Sequence, residues 1–121
     1  MDIEQHRAAA TRIERSLQKC GAHDSEMKIE GAMLAGTHWL NAVLHQMCVT
    51  QPAGDVFHSY LLTVNEYRRL SVAAEEALRA LSEIEDLRAP FVRGNWPGGE
   101  AAADRALALL SVIRAGMVTV G

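Results

Sequence analysis

The chain is poor in aromatics, proline and cysteine. Phe, Trp and Tyr together make 5% of its 121 residues, beside three prolines and two cysteines. Cys20 and Cys48 lie far apart and form no CxxC, which excludes a disulfide scaffold and a paired-cysteine metal site. No apolar run reaches 18 residues, so no membrane span is expected. The opening Met1-Asp2-Ile3-Glu4 lacks the basic and apolar regions of a leader. A cytoplasmic chain with free thiols is the expectation. A basic block is also missing: the net charge is −3, and no segment is rich enough in Lys and Arg to hold nucleic acid strongly.

Alanine dominates and β-branched runs are scarce, which favours helix over strand. The first helix is expected over about 2–20, with Ile3, Ala10, Ile13 and Leu17 on one face and Gly21 as a left-handed cap. The second is expected over 25–48, capped by Asp24 or Ser25, with a core stripe of Ile29, Met33, Gly36, Leu40, Val43 and Met47. Gly36 in mid-helix marks close approach of another helix. After the turn Thr50–Gly54, Asp55 caps a third run carrying Phe57, Tyr60, Val64, Tyr67, Ala74, Leu78, Leu81 and Ile84. That run reaches about Leu87. A break is expected near Leu70–Ser71, because one straight helix would outreach its neighbours. Residues 89–99 form the longest loop. The last helix spans 100–117, with Ala103, Ala106, Leu107, Leu110, Ile113 and Met117 inward. The expectation is an all-α protein, a single domain over 1–121: an antiparallel up-and-down bundle of four long helices.

The chain has little that announces chemistry. It holds no GxGxxG, no P-loop, no HExxH, and no Glu followed by His three positions on. No catalytic residue, cofactor or metal is assigned. The one concentrated stripe is on the second helix: His38, Asn41, His45 and Cys48, at steps of three, four and three. Two imidazoles, an amide and a thiol on one face could hold a ligand. His38 and His45 are about 10 Å apart along the axis, too far to share one ion unaided. His45 and Cys48 have ligand spacing but would need help from elsewhere, such as His58. A polar strip facing solvent or a subunit interface explains the same residues.

Two stretches carry a family resemblance. Glu30-Gly-Ala-Met-Leu-Ala-Gly-Thr-His-Trp-Leu-Asn-Ala-Val-Leu-His45 resembles the second helix of the HEPN domain. Leu87-Arg-Ala-Pro-Phe-Val-Arg-Gly94, with the alanine-rich helix from Glu100, resembles its late motif and last helix. The resemblance implies a dimerising bundle that binds a nucleotide or serves as partner subunit to a nucleotidyltransferase. It adds Arg88 and Arg93 to His38, Asn41 and His45 as candidate ligand-binding residues. The family's ribonucleases carry Arg, four to six residues, then His. Here Arg88 is followed five positions on by Arg93, and no His follows, so the chain reads as a non-catalytic binding module. The alternative is a small ligand- or metal-binding protein, or an enzyme, built on the His38/Asn41/His45 face. A homodimer is expected from Leu34, Trp39 and Leu44, which lie outside the narrow core stripe, and from small residues Ala32, Ala35, Gly36 and Ala42.

Overall fold

A computed structural model describes the backbone of residues 1–120 and the side chains through Met117. It contains four helices, α1 (Ile3–Leu17), α2 (Ser25–Gln46), α3 (Val64–Arg88) and α4 (Gly99–Val120). A short 3-10 turn, Ser59–Leu61, lies between α2 and α3, and a π-turn, Ala89–Arg93, follows α3. No strand occurs among the described residues. No helix among them is long and apolar enough to cross a membrane.

The helices alternate in direction. Leu17 at the end of α1 packs on Gly31 near the start of α2. Glu30 early in α2 pairs with Arg88 at the end of α3, and Glu83 of α3 pairs with Arg105 early in α4. Helix α2 runs through the middle and packs against all three others, which is why it is the most buried. Ile29, Leu40, Leu44, Leu78, Leu81, Ile84 and Ile113 are fully enclosed. Truncating any of these leucines to Ala costs about 2–5 kcal/mol by lost burial and the cavity left behind. Gly36 has the expected role. A Cβ there would sit 2.9 Å from Ile113 Cδ1, so the glycine lets α4 come close.

Local chemistry sets the helix ends. Asp2 and Gln5 form a reciprocal capping box at α1, and Thr63 and Glu66 form one at α3. Helix α2 ends in a Schellman motif, with Cys48 N–H donating to His45 O and Val49 N–H to Leu44 O. Cys48 takes the left-handed position usually given to glycine, at φ 59°.

Several boundaries differ from expectation. Gly21 is not left-handed; α1 ends earlier, and Gly21 N–H instead donates to Asp24 Oδ2. The third helix starts at Val64, not at Asp55, because the Thr63–Glu66 box gives a fully paired start and Asp55 is engaged elsewhere. Phe57 and Tyr60, expected in the core, therefore lie on the connector and are 70% and 61% exposed. The break in α3 falls at Ala74 (φ −144°, ψ 56°) and not at Ser71. Glu75 pairs with Arg79 within α3, and Glu83 pairs with Arg105 of α4.

The surface offered for dimerisation is also different. Trp39 and Leu44 are buried, and only Leu34 of that trio is exposed. Trp39 Nε1–H donates to Glu14 Oε2 at 2.6 Å. Ala32, Ala35 and Ala42 are buried as well, so these small residues serve packing within the chain.

Candidate metal centre

Three imidazoles and one carboxylate meet where the start of α1, the end of α2 and the connector converge. His38 and His45 stand on α2 with the separation expected of residues seven apart. His6 of α1 fills the space between them, with ring centroids 5.2 Å from His38 and 5.3 Å from His45. Asp55 reaches in from the connector. Its Oδ1 lies 2.8 Å from His6 Nε2 and 2.7 Å from His45 Nε2. The other ring nitrogens are also engaged: His6 Nδ1 lies 2.9 Å from His38 Nδ1, and His45 Nδ1 lies 2.7 Å from Thr50 Oγ1. Thr50 is brought there by the chain reversal that Cys48 permits.

The connector is delivered by a second device. Asn41 Nδ2–H donates to Val56 O, and Val56 N–H donates to Asn41 Oδ1, both at 2.7 Å. Asn41 also donates to Thr37 O at 2.9 Å. The amide thus pairs with one residue of an extended segment as a neighbouring strand would, beside Asp55. The Met1 nitrogen donates to Pro52 O and to Asp55 Oδ2.

Two proton arrangements fit these positions. Without an ion, both Nε2–H groups donate to Asp55, His6 Nδ1 accepts from His38, and His45 Nδ1 accepts from the Thr50 hydroxyl. An ion held here would need both Nε2 lone pairs, and each Nδ1–H would then donate outward, to His38 Nδ1 and to Thr50 Oγ1, the outer-shell arrangement that orients metal-bound imidazoles. His6 Nε2, His45 Nε2 and an Asp55 carboxylate oxygen lie within 4.8 Å of one another, the one such group among the described residues.

The electrostatics favour an ionised Asp55 and a neutral His38. Burial works to raise the Asp55 pKa, but hydrogen bonds from His6, His45 and the Met1 ammonium outweigh it and hold the carboxyl below its usual range. Burial pushes the His38 pKa below 6.5, helped by His6 and the Arg12 guanidinium and opposed by Asp55. Unfolded His38 therefore takes up a proton at a higher pH than folded His38. The stability this confers is complete above pH 6.5 and falls as the pH drops from there towards the folded pKa. Urea midpoints of chelator-treated protein should fall between pH 7.5 and 5.5, and the fall should shrink in His38→Gln. An equal fall in both proteins would contradict this assignment.

The remaining candidates are not part of the cluster. Arg88 Nε–H donates to Glu30 Oε1 at 2.7 Å, and its pKa is raised first by that bond and further by Tyr60. Arg93 lies in the π-turn after α3. No contact among the described residues joins either arginine to the imidazoles. Cys48 is exposed at its turn. His58 faces a different carboxylate: Glu85, on α3, lies 3.0 Å from His58 Nδ1 and accepts from Ser59 N–H at 2.9 Å and from the Ser59 hydroxyl.

His6 and Asp55 are the site residues that sequence reasoning missed. His6 had a signal. It fills the seven-residue gap between Ile3 and Ala10 on the inward face of α1. Asp55 had none, since an Asp after a Gly turn and before apolar residues matches a helix cap. Compared with family models, with curated proteins and with solved structures, the chain matches none.

Proposed function

We propose that the chain is a metal-binding helical bundle, holding one divalent transition ion of the zinc class through His6 Nε2, His45 Nε2 and the Asp55 carboxylate. The observation that carries this is the convergence of three ligand atoms from three separate parts of the chain within 4.8 Å. Imidazole and carboxylate donors suit zinc and its first-row neighbours. Both imidazoles have an outer partner in place, so the ion would meet oriented ligands. The side chains of His6 and His45 are almost fully buried, and Asp55 leaves the cluster its more open edge at 16% exposure. Water or an outside group completes the coordination on that edge. The ion ties α1, α2 and the connector together, so its binding energy adds to folding energy.

Thermal unfolding tests the reading. At free zinc about 100-fold above Kd, ligand binding adds about 2.7 kcal/mol, which raises the Tm by about 10 °C for a domain of this size. The rise should disappear with chelator and in His45→Ala. An unchanged Tm at saturating zinc would contradict it.

An interaction role is a second reading, in keeping with the HEPN resemblance and its nucleotide or nucleotidyltransferase partner. Exposed Phe57, Tyr60, Leu61 and Val64 favour it, since apolar side chains gathered on a surface mark contact sites. A homodimer would then form through this segment and not through α2. Sedimentation should show a dimer that Phe57→Glu dissociates; a monomer at micromolar concentration would refute it.

A further inference from the structure

Two of the proposed ligands stand on packed helices, and the third does not. His6 and His45 are fixed by the α1–α2 interface, whereas Asp55 belongs to the connector between Met47 and Thr63, whose only helical part is Ser59–Leu61. Something must bring its carboxylate to the imidazoles. Val56, the next residue, is buried and held by two hydrogen bonds to one side chain, Asn41. That side chain is itself fully buried and anchored to the Thr37 carbonyl one turn back on α2.

We infer that Asn41 is the positioning residue of this site, clamping the Val56 backbone so that Asp55 completes a three-ligand set with His6 and His45. The inference rests on the metal reading above. Asn41 touches no ion. It lies on α2 one turn before His45 and one residue away, in space, from the ligand it delivers. The amide suits this because it offers a donor and an acceptor side by side, matching the C=O and N–H of one peptide residue. Leucine has similar size and offers neither. Without the clamp, the site keeps its two imidazoles and loses the fixed place of its carboxylate. Metal affinity and coordination then change together, and the clamp and the ion close the same segment and so reinforce each other.

The test is zinc titration and cobalt(II) absorption on the full chain, on Asn41→Leu, on Asp55→Ala and on the double variant. The unaltered chain is titrated first; if it takes up neither ion, the metal reading falls and this inference with it. Where it binds, Asn41→Leu should lower zinc affinity about 10–100-fold, as loss of an outer-shell partner does. Its cobalt spectrum should move towards that of Asp55→Ala. In the Asp55→Ala background, Asn41→Leu should cause no further loss. A lower melting temperature with unchanged affinity and spectrum would overturn the inference, because the amide would then serve only the fold. Equal losses in both backgrounds would overturn it too, because the effect would not pass through Asp55. If Asn41→Leu fails to fold, hydrogen exchange of the Val56 amide in the unaltered chain decides: zinc should slow it at least tenfold, and an unchanged rate would count against the clamp.

Discussion

Replacing Asp55 with Ala is expected to lower zinc affinity by more than the about 10–100-fold that outer-shell substitutions cost, and His45→Ala should lower it further. The reason for the order is structural. Removing Asp55 leaves two buried imidazoles facing each other across the site, still oriented by His38 and Thr50. Removing His45 takes away the ligand that α2 contributes and leaves Asp55 with His6 alone. Cys48→Ser should leave affinity unchanged, since that thiol is exposed at the αL turn. Isothermal titration of the three variants checks all of this. Full-strength binding by Asp55→Ala would place the ion elsewhere.

A large effect on stability is expected at Glu85. Its side chain is 2% exposed and accepts hydrogen bonds from the Ser59 amide, the Ser59 hydroxyl and His58. Ser82 extends the network, donating to Ser59 Oγ at 2.8 Å, with the Tyr67 hydroxyl 3.2 Å away. Glu85→Ala leaves the buried Ser59 amide and hydroxyl without their acceptor. Leaving two buried donors unpaired costs about 2–6 kcal/mol, a fall in Tm of about 10–20 °C at this size. Glu85→Gln keeps the volume and an acceptor oxygen, and should cost less. Urea unfolding of both variants without metal measures the difference; a change under 1 kcal/mol in Glu85→Ala would mean that water replaces the carboxylate.

The four helices were legible because period and composition agree along most of the chain. Ile29, Met33, Leu40 and Val43 are where the three- and four-residue steps put them, and so are Ala103, Ala106, Leu110 and Ile113. The connector was misread for a physical reason. Phe57, Tyr60 and Val64 repeat at helical spacing after an Asp, and nothing local distinguishes them from the start of an amphipathic helix. What decides against helix there is tertiary. The Asp55 carboxylate is drawn to two imidazoles, the Val56 backbone pairs with Asn41, and Ser59 and His58 are held by Glu85. Together these fix an extended path that helical hydrogen bonds would forbid. The candidate site was half legible for the same reason. His38, Asn41 and His45 share a helix face and could be read from spacing. Their partners come from other elements: His6 of α1 fills the gap between His38 and His45, and Asp55 comes from the connector. The stripe on α2 divides into roles that spacing alone does not separate: in the proposed site His45 is a ligand and His38 its neighbour's outer partner, while Asn41 pairs with the Val56 backbone and Cys48 takes the turn.

X-ray absorption at the zinc edge of protein loaded with one equivalent of zinc tests the central claim most directly. The proposed site predicts a first shell of nitrogen and oxygen at about 2.0–2.1 Å with the outer-shell scattering of two imidazoles. It also predicts that this scattering falls to one imidazole in His6→Ala. A sulfur shell at about 2.3 Å, or no imidazole scattering in the unaltered chain, would contradict the site proposed here.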